Sequence, residues 1–435
     1  MINRHSGNSK FLYLLLVFLI VYYFTVPNEY DYYSITICSI LTFGSFLYYL
    51  HYNKDKNSLS FDVIFLLSSL ILYFVYPLFV YEDSTAYLFS FGLYYNVDYI
   101  SKGVCIASIG LICFIIGCMS SPILYGIKRD SKCRSNLYLS IFCTLIYVLF
   151  YILGGFQYFV DVYKNGYRGS TISAYILILI QCSFPILILN ELWYKKNNNN
   201  YHYSFYPFFI TIVVASHFLL VGSRSNALLL ILSPLIVYTE MFKRQSLKIL
   251  ILFFILGIFS MWFIQNIRAG HEIHSDSFKF YYIISDFLIP NTDTYIAADV
   301  VDSKGCSYGM TILSQFLSLI PFAQSFITSF GGLTDEDLSS SRFFTSYMNS
   351  NAGMGTNAIA DLYLAFNLLG VVLVMFYFGK ISVKWKNSLG INYYSSLYYA
   401  MLAGLSIYLV RASIFYSMRY FFYSLIISYL FCRKK

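Results

Sequence analysis

Apolar runs close to the ~20 residues that a helix needs to cross a bilayer recur from one end of this chain to the other. No other feature narrows the fold as much. In hydrocarbon every backbone amide must find its partner inside the chain, which leaves helices or a closed barrel. The runs lack the alternation of barrel strands, so they read as helices. They fall near 11–26, 33–50, 61–81, 100–120, 136–153, 171–193, 205–221, 225–240, 247–267, 357–380, 392–410 and 412–431. The expected fold is all-α: a polytopic integral membrane protein of about twelve transmembrane helices with one large outer loop. With 58% hydrophobic and only 11% charged residues, a set of soluble domains is excluded.

The charges set the expected orientation. With the N-terminus inside, alternate segments hold Arg4 and Lys10, Lys54 and Lys56, Lys128-Arg129-Lys132-Arg134, and Lys195-Lys196. Lys243-Arg244-Lys248, Lys380-Lys384-Lys386 and Arg433-Lys434-Lys435 continue the series, so every inside segment is basic. The outside segments collect acids, such as Glu29-Asp31, Glu82-Asp83 and Asp335-Glu336-Asp337. That phase predicts twelve spans with both termini cytoplasmic. The net charge of +8 therefore describes loops around a membrane and gives no argument for nucleic acid.

Three regions follow: helices one to nine over 1–267, an outer loop over 268–356, and helices ten to twelve over 357–435. Within the loop, Met310–Phe330 is apolar but carries Gln315, Gln324 and a central Pro321, which suits an interfacial or re-entrant helix. Phe280–Pro290 resembles it in composition. Arg4 and Lys10 before Phe11–Val26 look like a signal, but Pro27-Asn28-Glu29 replaces a small-residue cleavage site, so an uncleaved first span is expected. Six of the nine cysteines lie inside apolar runs and no paired CxxC exists, so neither a disulfide framework nor a zinc site is expected. No metal and no cofactor is called for.

Lysine and arginine part company across the membrane. Fourteen of 18 lysines fall inside, but only five of 11 arginines. Arg168, Arg224, Arg268, Arg342, Arg411 and Arg419 lie outside or near the outer face. Arginine is the better bidentate partner for phosphate and keeps its charge when partly desolvated. Arg168-Gly169-Ser170, Gly222-Ser223-Arg224-Ser225 and Arg411-Ala412-Ser413 each precede an expected helix start, where free amides and the dipole favour an anion. The bland alternative is that these arginines anchor the interface. Arg419 lies inside the last span, with Asp361 as its natural counter-ion, and a charge there is a functional candidate by default. Asp361 is also a candidate proton acceptor, as are His271 and His274 in the loop. His217 reads as a packed interior residue. Glu29 and Asp31 form an acid-x-acid pair more in keeping with topology than with metal binding. Tyr281, Tyr282 and Tyr308 are aromatics that could stack on sugar rings.

Three features together resemble Wzy-type O-antigen polymerases. They are the basic-loop topology with its late outer loop, Gly222-Ser223-Arg224 opening an apolar helix, and the segment from Asn357-Ala358-Ile359-Ala360-Asp361 through Phe366-Asn367-Leu368-Leu369-Gly370. Asp361 stands where the family commonly has Glu, and Asn367 where it commonly has Gly. The resemblance implies glycosyl transfer without a nucleotide sugar: a polysaccharide on undecaprenyl pyrophosphate passes as a block to a hydroxyl of one lipid-linked repeat unit. It implies a multi-pass protein of the bacterial inner membrane, with lipid-linked oligosaccharide and membrane lipid as partners and room for a chain-length regulator protein. Under that reading Arg168, Arg224, Arg268, Arg342, Arg411 and Arg419, with Ser223 and Ser225, would bind the pyrophosphate, and Asp361 or His271 would take the proton. An O-antigen ligase is the nearest rival. A flippase is the rival of another class, against which the absence of internal repeats and the crowding of candidate groups at the outer boundary both argue. An acyltransferase lacks an intramembrane histidine centre.

Overall fold

The computed structural model describes residues 10–53, 57–81, 99–121, 136–155, 171–198, 201–269, 284, 287–349 and 353–432. Among them the regular structure is helical throughout, and a helix stands at each of the apolar runs. These are α1 (Lys10–Tyr23), α2 (Tyr32–Tyr52), α3 (Phe61–Val75), α4 (Ile100–Met119), α5 (Asn136–Ile152), α6 (Thr171–Asn197), α7 (Phe205–Leu220), α8 (Arg224–Met241) and α9 (Leu247–Ala269). The loop contributes α10 (Thr292–Lys304), α11 (Leu313–Leu317), α12 (Ala323–Phe330), α13 (Asp335–Leu338) and α14 (Ser340–Tyr347). Then come α15 (Ala358–Asn387), α16 (Tyr393–Gly404) and α17 (Ser417–Cys432). Among the described residues, six stretches are long and apolar enough to cross a membrane unaided: Tyr32–Tyr52, Phe61–Val80, Ile100–Met119, Ile172–Asn197, Ala358–Asn387 and Ile414–Phe431. The chain is a multi-pass helical membrane protein.

The core forms around α4, of which only Lys102 and Met119 escape burial. Its main partner is α15. The two backbones touch because a glycine on each lies against a carbonyl of the other: Gly117 against Phe376 and Gly379 against Phe114. A Cβ on either would sit well inside van der Waals contact with main-chain oxygen. Small residues are what let membrane helices approach so closely. On the outside of the bundle, Leu14, Val17 and Val21 of α1 and Leu252, Ile255 and Leu256 of α9 are exposed, as lipid-facing positions should be.

The ends of the helices depart from the sequence reading in three places. The run 392–410 is helical only to Gly404; the chain then makes a 3₁₀ turn, Tyr408–Arg411, is extended at Ala412 (φ −151°), and makes a second turn, Ile414–Tyr416. Ser413 sets the second turn: its hydroxyl accepts from Phe415 N at 3.2 Å and donates to Asp361, a local alternative to the helical ladder. Met310–Phe330 is not one helix either. Pro321 has no N–H to continue α11, and Phe322 takes a left-handed conformation (φ 65°) before α12. Finally, α15 is broken at Phe366 and Asn367 (φ 56°, ψ −163°). The carbonyls of Leu364 and Ala365 accept from Ser307 N at 2.8 Å and Gly309 N at 3.0 Å in the loop, so these two carbonyls keep partners across the break.

At the end of the bundle opposite Asp361, α15 carries Lys386 into an enclosed ion cluster. Its ammonium lies 3.0 Å from Asp62 and 3.3 Å from Glu240, and Tyr49 donates to Asp62 at 2.5 Å. The sequence reading counted Lys386 among the loop charges; the structure makes it a buried tie between α3, α8 and α15. Removing one partner strands the others in a low-dielectric interior. Lys386→Met should therefore cost about 3–5 kcal/mol, and adding Asp62→Asn and Glu240→Gln should recover much of it. Thermal unfolding of the detergent-purified variants reads both; a single variant as stable as the parent would refute the tie.

Candidate functional site

The first turns of α8, α15 and α17 gather most of the described polar side chains that the sequence singled out. Gly222 (φ +87°) turns the chain between α7 and α8, and Ser223 sits at the N-cap position without capping. Its hydroxyl instead accepts from Asn226 Nδ2 at 2.5 Å. Asn226 Oδ1 accepts from Gln181 Nε2 of α6, and Gln181 Oε1 accepts from Tyr420 Oη at 3.0 Å. Arg419 Nη2 donates to that same Tyr420 oxygen at 3.3 Å. One chain of hydrogen bonds thus ties the Gly-Ser-Arg turn to the intramembrane arginine.

Arg419 is held by rings. Its guanidinium lies 3.6 Å from the centroid of Tyr416 and 5.1 Å from that of Tyr420, and its Nε is buried with no hydrogen-bond partner. The expected ion pair with Asp361 is absent. Asp361 is fully buried in the first turn of α15 and accepts from Ser340 Oγ of α14 and from Ser413 Oγ, each at 2.6 Å. Ser340 Oγ also accepts from the Thr356 hydroxyl, 3.2 Å away. Asp361 therefore staples loop helix α14 and the 408–416 segment to α15. The cation and the carboxylate satisfy themselves separately because hydroxyl donors reach Asp361 first and the tyrosine faces hold Arg419.

Arg411 closes the Tyr408–Arg411 turn instead of opening the last helix, so the helix-dipole argument does not apply to it. It is half-buried over the Phe287 ring, 5.6 Å from its centroid. Tyr408 packs on Tyr416 at 4.9 Å and lies within electrostatic reach of both Arg411 and Arg419, which links the two arginines. Arg224 is half-buried at the head of α8, as expected. Ser225 takes no part in the hydrogen-bond chain, and Arg342 is exposed on α14, two residues from Ser340. Arg268 is described in its backbone alone, in the last turn of α9; Arg168, His271, His274, Tyr281 and Tyr282 lie outside the described residues.

The head of α15 is fixed by a residue that sequence reasoning passed over as a sequence-pattern letter. Asn357 caps the helix, accepting from Ile359 N at 3.1 Å and Ala360 N at 2.8 Å. Its amide donates to Pro290 O at 2.5 Å and Thr294 Oγ1 at 2.9 Å, and Tyr73 of α3 donates to it at 2.9 Å. Gln181, Asn226, Ser340 and Tyr420 were also missed. Gln181 had a usable signal, since an amide inside an apolar run asks for a partner. Asp31 caps α2 through Tyr33 N and Ser34 N, which accounts for it without a metal. His217, expected in the interior, is half-buried near the surface of the bundle, 5.0 Å from the Tyr151 ring and bonded to its hydroxyl at 2.8 Å. Tyr308 is 86% exposed.

The loop leans on this cluster. Phe316 packs 5.6 Å from Phe415, Tyr423 of α17 donates to Leu319 O at 3.3 Å, and Tyr175 of α6 accepts from Phe322 N at 3.1 Å. The fold is that of a multi-pass helical membrane protein, and the cluster of arginines and hydroxyls at the starts of its helices is its candidate site. Over residues 9–434, nearly its whole length, the chain matches the family O-antigen polysaccharide polymerase Wzy, and it belongs to that family of polymerases. Comparison with curated proteins and with solved structures gives no match.

Proposed function

We propose that this chain polymerises oligosaccharide repeat units carried on undecaprenyl pyrophosphate, by transferring the growing chain as a block to a hydroxyl of one incoming unit at the outer face of the bacterial inner membrane. The observation that carries the reading is Arg419: a guanidinium in an apolar helix, seated on Tyr416 with Nε unpartnered and joined by hydrogen bonds to the Gly222-Ser223-Arg224 turn. A cation kept in such a place and not neutralised by a carboxylate suits an anionic substrate. Departure of the lipid pyrophosphate builds negative charge, and preorganised cations stabilise that charge best where water is scarce.

In this reading Arg224, Arg411 and Arg419 hold the pyrophosphate, with Arg168, Arg268 and Arg342 supplying further charge from the loops and Ser223 and Ser225 the hydroxyls. Asp361, both of whose oxygens accept serine hydroxyls, fixes Ser413 and through it the backbone of Arg411. His271 is then the acceptor of the attacking hydroxyl's proton, since imidazole titrates near neutral pH. Twelve spans with cytoplasmic ends put the loop 268–356 and the site on the same outer side. A chain-length regulator is the natural protein partner.

Deleting the gene and running the surface glycolipid on a gel tests the activity. Lipid A core capped by one repeat unit, with the ladder missing, is the expected result. Bare core would sink the proposal; polymer accumulating on the carrier lipid would then indicate a ligase, and single units trapped inside a flippase.

A further inference from the structure

Arg224 and Arg419 stand on different helices, α8 and α17, and α6 packs against both. Within the apolar run 175–188 of α6 lies Gln181, only 4% exposed. A buried amide in such a run is costly unless both of its ends are bonded. Both are. Gln181 Oε1 accepts from Tyr420 Oη at 3.0 Å, and Nε2 donates to Asn226 Oδ1. Tyr420 follows Arg419 in α17 and accepts from its Nη2 at 3.3 Å. Asn226, in the first turn of α8, donates at 2.5 Å to the hydroxyl of Ser223, the residue before Arg224. From this one amide each arginine-bearing segment is reached in two hydrogen bonds.

The bridge has a direction and a charge. Its donors all point from α17 toward α8: Arg419 to Tyr420, Tyr420 to Gln181, Gln181 to Asn226 and Asn226 to Ser223. An amide can stand in the middle of such a series because it accepts at one end and donates at the other, whereas a carboxylate only accepts. The amide is also neutral. A carboxylate in its place would attract the neighbouring guanidinium and oppose an incoming anion, but Gln181 joins the two segments and leaves their positive charge for a ligand. With both ends engaged and so little surface exposed, Gln181 does not itself meet the substrate. We propose that Gln181 is a positioning residue, which locks the start of α17 and the head of α8 in one register so that Arg419 and Arg224 meet the same diphosphate without rearrangement. This rests on the pyrophosphate reading of the site. Cations held in place beforehand stabilise developing charge without reorganising at the moment of transfer.

The test uses the full-length enzyme in proteoliposomes, fed lipid-linked repeat units extracted from a host lacking the polymerase, with turnover counted per folded molecule. Gln181→Leu should lower kcat by about ten- to a hundredfold. The donor KM should stay within about twofold of the parent, since both arginines remain. Tyr420→Phe cuts the same bridge from the α17 side, so adding it to Gln181→Leu should cost no more than the larger single loss. Parental kcat in Gln181→Leu would overturn the proposal; that is the result of a purely structural amide, which lowers yield and melting temperature only. A loss carried by KM alone, or losses that multiply in the double variant, would overturn it too. Should Gln181→Leu fail to accumulate, Tyr420→Phe and Asn226→Ala are combined instead. Among the described residues their hydrogen bonds meet only at Gln181. Losses in kcat that do not multiply then support the proposal, and losses that multiply overturn it. If Arg224→Ala and Arg419→Ala both polymerise like the parent, the pyrophosphate reading fails before this inference is reached.

Discussion

Arg419→Ala should abolish the polysaccharide ladder while the protein still inserts and accumulates. The guanidinium is not a strut: among the described residues its one hydrogen bond is to Tyr420 Oη, and Tyr420 keeps Gln181 and Tyr416 as partners without it. Truncation therefore removes charge from the site and leaves the α6–α8–α17 network standing. Losing one preorganised cation or donor at a developing anion costs about a hundred- to a thousandfold in rate. Arg419→Lys should recover little, because a point charge on a flexible stem neither stacks on Tyr416 nor presents two parallel donors. Arg224→Ala should behave in the same way. A ladder of normal length from Arg419→Ala, at parental protein level, would remove this residue from the site.

Gly117→Leu should prevent a stable protein from accumulating at all. The position faces the Phe376 carbonyl and the Lys380 amide across the α4–α15 contact, and both are main chain. A side chain there cannot be met by a rotamer change; the two central helices must separate. Overpacking of ordinary cores costs about 1–3 kcal/mol, and backbone contact puts this case at or beyond the upper end. Against a total stability of about 5–15 kcal/mol, and with Gly379 facing the reciprocal carbonyl of Phe114, little margin is left. Gly117→Ala should lower the melting temperature by less. The check is yield and thermal unfolding in detergent, and a Gly117→Leu protein melting like the parent would show that the interface is looser than the contacts imply.

What the sequence revealed, and what it hid, follows from the range of the interactions involved. Apolarity is a local property, so the runs located the helices and the tight Gly222-Ser223-Arg224 turn at the head of α8. The partners were not local. Asp361 finds Ser340 and Ser413, 21 and 52 residues away, and Tyr420 finds Gln181 across 239. Nothing in a single chain marks which of many serines will be the neighbour of a buried carboxylate. Pairing Arg419 with Asp361 by charge alone ignored that hydroxyls and aromatic faces compete for both groups. The turns between Gly404 and the last helix were hidden for a related reason, since the hydrogen bonds of Ser413 that hold the second turn reach across to Asp361.

The broken helix α15 has a bearing on how such a protein can change its sequence over time. Its joint is made of main chain: two carbonyls of α15 meet two amides of the loop, and no side chain takes part in either bond. Ser307, Leu364 and Ala365 are thus free to drift as far as volume permits. Backbone conformation bears on residue identity at three points of the joint, Tyr308 at φ 49°, Gly309 at φ 86° and Asn367 at φ 56°. Glycine and asparagine are the residues that tolerate the left-handed region. An architecture stitched in this way can be inherited intact while almost every letter around it is rewritten.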